Sequence, residues 1–308
     1  MSFVYKAEPS RGKIWADLFK DKAPEIDFRI WPDYGDPSAV RFLTVWEPPE
    51  NISQQFPNLE ILFSIGAGVD QIDFSKIPAN LPVVRMIEPG LTQAMCEYVL
   101  WGVLSIHRDM PAYQRQQREC SWKPIRVWPA SSRRIGVMGL GQLGQAVLKQ
   151  LKPMGFKCAG WSRSEHRIEA VKCFHGADML KDFLSQCDIL ICLIPLTEST
   201  RGILNAALFS HLPKRASLIH VGRGEHLIAD DLIQALDSAH LSEAILDVTT
   251  PEPLNADHPL WTHPKVMITP HIASMTQPET AIDVVLDNLQ RHARGQPLQG
   301  LVDRKKGY

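Results

Sequence analysis

From Arg134 onward, short apolar runs alternate along the chain with amphipathic segments. This alternation predicts repeated βα units on a parallel sheet, because each buried strand is followed by a helix that covers it. Leu143, Val147 and Leu151 recur at every fourth position after the first run, as on the buried side of a helix. The pattern therefore predicts a Rossmann-type, doubly wound parallel sheet. Its predicted strands are Ile135–Met138, Lys157–Trp161, Ile189–Ile194, Ser217–Val221, Ala244–Val248 and Val266–Ile268.

Three more apolar runs precede this region and are joined by proline-rich connections. The segment Glu97–Arg108 is apolar on nearly all faces and predicts a buried helix, and Pro278–Arg294 predicts an amphipathic helix that returns the chain to the first domain. We therefore expect a smaller, discontinuous, flavodoxin-like α/β domain from residues 1–100 and 285–308, and a dinucleotide-binding domain from 101–284. The active site is expected in the cleft between them. The earlier predicted strands are Val40–Trp46, Leu59–Ile65 and Val83–Arg85.

The charge of the chain is nearly balanced, with 33 Lys and Arg residues against 34 Asp and Glu residues, a formal net charge of -1 and a pI near 6.8. Such a balance offers no electrostatic footprint for nucleic acid or for an anionic membrane. We therefore expect a small-molecule substrate, with neither nucleic acid nor a membrane as partner. A length of 308 residues favours two domains over a single core.

The N-terminal segment and the cysteines indicate where the protein works. Met1–Glu8 lacks the continuous apolar core of a signal peptide. The most apolar stretch, Tyr98–Ile106, is far shorter than the roughly 18 residues that a membrane span needs. Six cysteines are scattered without a Cys-x-x-Cys pair, which is typical of small buried side chains in a reducing compartment. We expect a cytoplasmic protein with no disulfide and no metal site.

A Gly-Leu-Gly-Gln-Leu-Gly fingerprint follows the first predicted strand of the nucleotide domain and opens its first helix. Gly139 would permit the tight turn, Gly141 would let the backbone approach a pyrophosphate, and Gly144 would permit close packing of helix on strand. The helix N-terminus, with Gln142 and Leu143, would supply N–H donors and the positive end of the helix dipole. This context predicts that all five residues contact a dinucleotide.

The end of the second predicted strand of this domain indicates which nicotinamide cofactor is bound. Enzymes that prefer NAD usually place Asp or Glu about 20 residues further on, where it accepts from the ribose 2′-hydroxyl. Here the equivalent residues are Ser162, Arg163 and Ser164, and a guanidinium with two hydroxyls can hydrogen-bond a 2′-phosphate. We predict NADPH (NADP) as the cofactor. The alternative is that Arg163 is a solvated loop charge, because Glu165 follows closely.

Three later residues suit chemistry on a 2-keto or 2-hydroxy acid. Arg223 follows the fourth strand between two glycines, where its guanidinium would clamp a carboxylate and polarise the C2 carbonyl. His271 follows the last strand and would give a proton to the carbonyl oxygen during reduction and take it back during oxidation. Glu252 would favour the charged imidazole that reduction needs. The alternatives are a surface arginine and a solvated turn carboxylate between Pro251 and Pro253.

Asp247 closes the fifth apolar strand of the nucleotide domain. It would either cap the next loop or hydrogen-bond the carboxamide of a nicotinamide. Val221, at the end of the fourth strand, is a further predicted cofactor contact.

These features together resemble the D-isomer-specific 2-hydroxyacid dehydrogenase family over essentially the whole chain. The resemblance is also carried by the segments Leu43–Pro49, Ser64–Asp70, Trp161–Arg163 and Val302–Tyr308. It implies that Arg223, Glu252 and His271 are the catalytic residues. It also implies that Pro195 and Thr197, which follow the third strand, contact the cofactor. It further implies that Ala67 and Gly68 offer backbone N–H groups to the substrate carboxylate, and a glycine-rich turn after an apolar strand does make a small anion-binding nest.

The resemblance also implies an activity and an assembly. We expect NADPH-dependent reduction of small 2-keto acids, glyoxylate to glycolate and hydroxypyruvate to D-glycerate, by a homodimer that pairs through the nucleotide domain. Trp46, at the end of its strand, resembles a pocket residue that limits substrate size, and the alternative is a core tryptophan.

Two other functions are compatible with the pattern. One is an NAD-linked dehydrogenase of another D-2-hydroxy acid, of the phosphoglycerate or lactate type, against which Arg163 argues. The other is a nucleotide-sensing binding protein that acts as a corepressor, which would not need the intact set of Arg223, Glu252 and His271. Oxidation of NADPH on addition of glyoxylate would distinguish the reductase from such a binding protein.

Overall fold

The computed structural model describes residues 1–304 of the chain. Residues 305–308, which end the segment Val302–Tyr308 that contributes to the family resemblance, lie outside the described residues. Within residues 1–304, no helix combines the length and the apolar character that crossing a membrane requires.

The strands of the described chain form two separate parallel sheets. The first sheet contains β1 (Ser2–Lys6), β2 (Asp27–Ile30), β3 (Val40–Val45), β4 (Ile61–Ser64) and β5 (Val83–Val84). The second contains β6 (Arg134–Met138), β7 (Lys157–Ser162), β8 (Lys172–His175), β9 (Ile189–Cys192), β10 (Ala216–His220), β11 (Leu241–Leu246) and β12 (Val266–Ile268).

The helices lie between these strands, except the last, which follows β12. They are α1 (Pro9–Lys22), α2 (Ile52–Gln55), α3 (Pro89–His107), α4 (Met110–Arg118), α5 (Gln142–Leu151), α6 (Leu180–Leu184), α7 (Ala206–Ser210), α8 (Ala229–Asp237) and α9 (Pro278–Ala293). In α5 the buried residues Val147, Leu148 and Leu151 share one face, as the spacing of the apolar residues predicts.

The chain divides into two compact units. Unit 1 comprises Met1–Leu91 and the described residues from Met275 onward, and unit 2 comprises Thr92–Ser274. Both boundaries differ from the expected positions after residues 100 and 284. Helix α3 begins earlier than its predicted start at Glu97, and α9 packs wholly within unit 1, where Ala281, Ile282 and Val285 are fully buried.

Unit 1 has the strand order β2-β1-β3-β4-β5, which is the flavodoxin-like order 2-1-3-4-5 that the fold prediction requires. Strand β1, which lies between β2 and β3, was not predicted. It is nevertheless fully buried up to its last residue. Phe3 on β1 lies 4.8 Å from the ring of Phe19, 6.2 Å from Phe42 and 5.9 Å from Phe63, so β1 organises the aromatic core of the unit.

In unit 2 the parallel strands follow the order β8-β7-β6-β9-β10-β11-β12. Strand β6 pairs with β7 on one side and β9 on the other, so the direction of winding reverses there. The predicted Rossmann-type topology is confirmed. The carboxyl ends of all seven strands meet at one edge of the sheet, and a crevice at a reversal of strand order is where such folds bind ligands. Short, partly exposed β8 was not predicted.

A buried carboxylate ties together the first turns of α3 and α9 within unit 1. Glu88 is 1% exposed and accepts from the backbone N–H groups of Gly90 and Leu91, both at 2.6 Å, and of Gln277 at 3.1 Å. It also accepts from the hydroxyl of Thr280. One side chain therefore satisfies N–H groups at the starts of two helices that lie far apart in the chain.

Candidate active site

The predicted site residues of unit 2 lie at the carboxyl edge of its sheet. Neighbouring parallel strands end on the same side, so loops that are distant in sequence become neighbours there. The fingerprint follows β6, Ser162–Ser164 follow or end β7, Pro195 and Thr197 follow β9, Val221 and Arg223 follow β10, Asp247 and Glu252 follow β11, and His271 follows β12.

The glycine fingerprint has the geometry that a pyrophosphate needs. Gly139 has a φ of 106°, and a Cβ on it would lie 2.6 Å from Leu193 O. A Cβ on Gly144 would collide with Gly139 O, so this glycine permits the start of α5 to pack against the turn. A Cβ on Gly141 would meet nothing within 4 Å, which leaves open space at the helix N-terminus. The residues present therefore fit a dinucleotide phosphate group.

Gln142 and Leu143 form the first turn of α5 beside this open space. Gln142 is exposed and Leu143 is half-buried. Gln145 donates its side-chain N–H to Leu140 O at 2.8 Å and its backbone N–H to Gly141 O at 3.0 Å. Both hydrogen bonds fix the glycine loop to the first turn of α5. The dipole of α5 favours negative charge at this position.

The loop after β7 presents Arg163 and Ser164 at the surface. Ser162 is buried, and its hydroxyl donates to Ser164 O at 2.8 Å and lies 3.0 Å from His166 Nδ1, so its hydrogen bonds shape the turn.

An open cavity of about 450 Å³ adjoins this loop. Its lining residues include Glu165, His166, Arg167, Ile168, Cys173 and Met179. The cavity is thus at the second strand of the sheet, away from the loops that carry Arg223 and His271.

The loop after β9 is internally hydrogen-bonded. Thr200 Oγ donates to Pro195 O at 2.8 Å, and the backbone N–H of Thr197 donates to Thr200 Oγ at 2.8 Å. Pro195 is exposed and Thr197 is half-buried, so both lie at the surface of the sheet edge.

The loop after β10 packs tightly against the loop after β11. A Cβ on Gly224 would collide with Thr249 O, so glycine is required next to Arg223 for the two backbones to approach. Arg223 is half-buried, and its guanidinium donates to Gly222 O at 2.8 Å. Val221 is buried, and its N–H donates to Cys192 O at 3.2 Å.

The structure brings Glu252 and His271 together. His271 Nδ1 lies 2.8 Å from Glu252 Oε2, and Glu252 Oε1 accepts from the backbone N–H of Thr249 at 3.1 Å. Partial burial alone would raise the pKa of Glu252. The hydrogen bonds from His271 and Thr249 and the positive charges of His271 and Arg223 outweigh that burial, and the pKa of Glu252 lies below its ordinary value. The carboxylate is therefore ionised at neutral pH and faces the imidazole.

His271 is held in a left-handed backbone conformation, with a φ of 54°. Its N–H donates to Asp247 O at 2.8 Å and to Thr269 O at 3.0 Å. Non-glycine residues adopt this conformation rarely, and it persists where surrounding contacts enforce it, often at functional sites.

The side chain of Asp247 caps the loop that carries His271. It accepts from Thr269 Oγ1 at 2.6 Å and from the N–H groups of Ile272 and Ala273, both at 2.8 Å. Tyr98 OH extends this network to Thr269 Oγ1 at 2.5 Å. Burial raises the pKa of Asp247, and these hydrogen bonds and the charge of His271 oppose the rise. Asp247 therefore caps the loop after β12, not the loop that directly follows its own strand, and the contact with a nicotinamide carboxamide stays a prediction.

Unit 1 contains the predicted substrate contacts Trp46, Ala67 and Gly68. Trp46 is 41% exposed, so the alternative of a core tryptophan is wrong. The loop after β4 is organised by Ser64, whose hydroxyl donates to Gly68 O at 2.9 Å and accepts from the N–H of Gly66 at 3.3 Å. The role of this loop in substrate binding stays a prediction.

Several residues of the site were missed by the sequence reasoning. Tyr98 acts through a hydrogen bond to the distant Thr269, and Ser64 acts through hydrogen bonds within its own loop; no periodicity reveals either. His220 and His226 flank Arg223 and are fully buried, and with Cys192 they form a compact cluster. Two histidines within three residues of a candidate arginine were the available signal.

Fold and site together define a dinucleotide-binding α/β protein that carries a paired imidazole and carboxylate at the ligand edge of its parallel sheet. The D-isomer specific 2-hydroxyacid dehydrogenase NAD binding domain matches residues 100–273, more than half of the chain. The chain belongs to the D-isomer specific 2-hydroxyacid dehydrogenase family.

Full-length relatives agree. Glyoxylate/hydroxypyruvate reductase A of Serratia proteamaculans is 39% identical over 314 residues, with 100% of each chain covered. The protein of the same name from Yersinia enterocolitica is 37% identical, also with 100% of each chain covered. The predicted family is thereby confirmed.

Solved structures give the same result for the fold. A D-isomer specific 2-hydroxyacid dehydrogenase from Xanthobacter autotrophicus Py2, in complex with NADPH and MES, has a TM-score of 0.94 at 38% identity, with 99% of each chain covered. The NADPH-dependent glyoxylate/hydroxypyruvate reductase of Sinorhizobium meliloti, in complex with NADP and sulfate, has a TM-score of 0.93 at 33% identity, with 100% of each chain covered.

Proposed function

We propose that this chain uses NADPH to reduce small 2-keto acids, converting glyoxylate to glycolate and hydroxypyruvate to D-glycerate. The observation that carries the proposal is the 2.8 Å pairing of His271 with Glu252 at the sheet edge that also holds Arg223 and the glycine fingerprint. The names of the full-length relatives support the substrates. The complexes of similar structures with NADPH and NADP support the cofactor.

The cofactor would bind along the carboxyl edge of the sheet in unit 2. The open space at Gly141 and the N-terminus of α5 suit its pyrophosphate, and exposed Arg163 and Ser164 suit a 2′-phosphate. Pro195, Thr197, Val221 and Asp247 complete the proposed set of contacts. When bound, NADPH supplies the hydride that reaches C2 of the substrate.

The side chains of unit 2 do the remaining work. Arg223 holds the substrate carboxylate and polarises the C2 carbonyl, which a planar guanidinium can do through two parallel hydrogen bonds. His271 in its charged form donates the proton from Nε2, because Nδ1 faces Glu252. The carbonyl thus gains one hydride and one proton and becomes a hydroxyl group. Trp46 and the backbone N–H groups of Ala67 and Gly68 are the proposed further substrate contacts.

Steady-state kinetics with a panel of 2-keto acids and both cofactors test this proposal. We expect glyoxylate and hydroxypyruvate to be reduced, with a higher kcat/KM for NADPH than for NADH, because Arg163 can pair with a 2′-phosphate. Higher efficiency with NADH would contradict the cofactor assignment. An absence of NADPH oxidation with every keto acid would contradict the reductase and favour a binding protein.

We also propose that the chain works as a homodimer paired through unit 2. Between α4 and β6 an extended segment exposes Trp122 at 98%, Val127 at 65% and Trp128 at 42%. Tyr113 on α4 holds this segment by accepting from the N–H of Ile125 at 2.8 Å. Aromatic and aliphatic side chains exposed together are typical of protein interfaces. A second copy of this chain is the occupant that we propose.

A cytoplasmic location is a further proposal. The six cysteines of the chain are all free, which suits a reducing compartment. Subcellular fractionation with an antibody to the chain tests it, and recovery in an exported fraction would contradict it.

A further inference from the structure

Two buried histidines contact the backbone of Arg223 from both sides. His220 Nε2 lies 2.8 Å from Arg223 O, and the N–H of Arg223 donates to His226 Nδ1 at 3.0 Å. Both histidines are 0% exposed. The backbone donor and the backbone acceptor of the residue that we assign to substrate binding are therefore each held by an imidazole.

These hydrogen bonds define how each ring is protonated. A carbonyl only accepts, so His220 Nε2 must carry a hydrogen. His226 Nδ1 accepts from an N–H, so it must be unprotonated, and the hydrogen of the neutral ring lies on Nε2, which is 3.3 Å from Pro195 O. Burial above all, together with His226, lowers the pKa of His220 to about 3. A proton added to His226 Nδ1 would oppose the N–H of Arg223.

The same cluster has atom types that bind transition metals. Cys192, His220 and His226 place one donor atom each within 4.8 Å of one another. However, both nitrogens of His226 are engaged by main-chain groups, Arg223 N–H and Pro195 O. Only His220 Nδ1 and Cys192 Sγ are left, which is fewer than the three or four protein ligands of a zinc site. Main-chain hydrogen bonding, not ion binding, accounts for the two imidazoles.

The loop around Arg223 needs such support because glycines flank the arginine. Gly222 and Gly224 allow the backbones to approach closely, and a Cβ on Gly224 would collide with Thr249 O. Glycines also leave the peptide groups freer to rotate. The direction of the Arg223 side chain depends on those peptide groups, and an error of about 1 Å at a substrate-positioning residue can cost about a hundredfold in rate.

We propose that His220 and His226 are positioning residues, which fix the two peptide groups of Arg223 so that its guanidinium meets the substrate carboxylate. The proposal rests on the function proposed above for Arg223. It requires that both rings stay neutral, with hydrogen on Nε2. His226 also joins the loop after β9, through Pro195 O, to the loop after β10. His226 therefore also fixes the loop after β9 relative to the loop after β10.

The test is a set of single variants and a double-mutant cycle in the full-length protein. His226→Leu removes the acceptor, and His226→Asn keeps an oxygen close to the position of Nδ1. His220→Leu removes the donor, and His220→Gln keeps an N–H close to the position of Nε2. His240→Leu is the matched control, because His240 Nε2 lies 2.8 Å from Phe209 O, a main-chain contact in the same unit but away from Arg223.

We expect each leucine variant to lower kcat/KM for glyoxylate about tenfold or more. His220→Leu, which leaves the contact with Pro195 O in place, should keep the Kd of NADPH within about twofold of wild type. The Asn and Gln variants should recover most of the activity, and the His240→Leu protein should keep it. In an Arg223→Ala background, His226→Leu should cost less than about twofold, because a residue that acts through Arg223 has nothing left to position.

Two results would overturn the proposal separately from the function. Losses that multiply in the double variant would show that His226 acts independently of Arg223. Equal losses in His240→Leu and His226→Leu would show a general structural effect. By contrast, a wild-type protein that oxidises NADPH with none of the keto acids would overturn the proposed function, and the positioning role would fall with it.

Discussion

The pair formed by Glu252 and His271 shows how individual residues are prepared for acid–base chemistry. His271 has the rare positive φ of 54°, and backbone acceptors on Asp247 and Thr269 hold it there. Glu252 has a pKa below its ordinary value, so it is ionised above the normal titration range of a carboxyl group and loses its charge only as the pH falls below that range. Its negative charge faces His271 Nδ1 across the whole neutral range.

Replacement of this carboxylate should slow reduction. In Glu252→Gln the imidazole of His271 faces an amide instead of an ionised carboxylate, so the charged form that donates the proton loses its partner. At pH 7.5 we expect kcat to drop about tenfold. The measurement is kcat with glyoxylate and NADPH in steady-state kinetics. Glu279→Gln, an exposed change on α9, is the control, and an unchanged kcat in Glu252→Gln would contradict the assigned role.

At the level of elements, the loops after parallel strands carry the site, and side chains buried beneath them hold their shape. Asp247 holds the loop after β12, and Ser64 holds the loop after β4. Glu88 does the same for helices α3 and α9, through donors that are up to 192 residues away in the chain. These side chains are polar and buried, and each accepts hydrogen bonds from main-chain groups, which is the condition for burying them.

Glu88→Gln should destabilise unit 1 although it changes only one group. The contacts identified for Glu88 are all donors, so the amide NH₂ of glutamine would face N–H or O–H groups. We expect a loss of about 2 kcal/mol in the free energy of unfolding, measured by urea denaturation. Glu97→Gln is the control, because Glu97 is exposed on α3 and should change stability by less than about 0.5 kcal/mol. Equal midpoints for both variants would count against the capping role.

At the level of the whole molecule, one chain builds two α/β units, each with a parallel sheet. The chain leaves unit 1 in α3 and returns to it just before α9. Unit 2 additionally exposes the apolar segment that contains Trp122, Val127 and Trp128. Arg126 Cζ lies 3.7 Å from the centre of the Trp128 ring, a cation–π contact, and Trp128 remains 42% exposed.

Removal of these apolar groups should dissociate the proposed dimer. We expect the double variant Trp122→Ser, Val127→Ser to have the mass of one chain, 34.7 kDa, in light scattering, and the wild type to have about twice that mass. Trp261→Ser is the control, since Trp261 is 50% exposed in the same unit. A monomeric wild type, or a double variant that stays dimeric, would contradict the proposed dimer.

The extent of prediction from sequence differs between the fold and the site. Strands β9 and β10 were predicted to within two residues at each end, because a continuous apolar run marks a strand buried on both faces. Strand β2, with exposed Asp27 and partly exposed residues after it, carries no such run and was missed. The fingerprint and Arg223 were located because glycine spacing is local. The contacts of Glu88 and His226 were not, because their partners are set by packing.

The sequence by itself determined the Rossmann-type character of unit 2, most of the strands of its sheet, and Arg223, Glu252 and His271 as candidate site residues. These depend on the spacing of apolar residues and glycines along the chain. Only the tertiary structure decided that Asp247 caps the loop of His271 and that two buried histidines hold the backbone of Arg223. Such contacts join side chains to main-chain groups across loops or strands, and no repeating pattern in the sequence encodes which groups will meet.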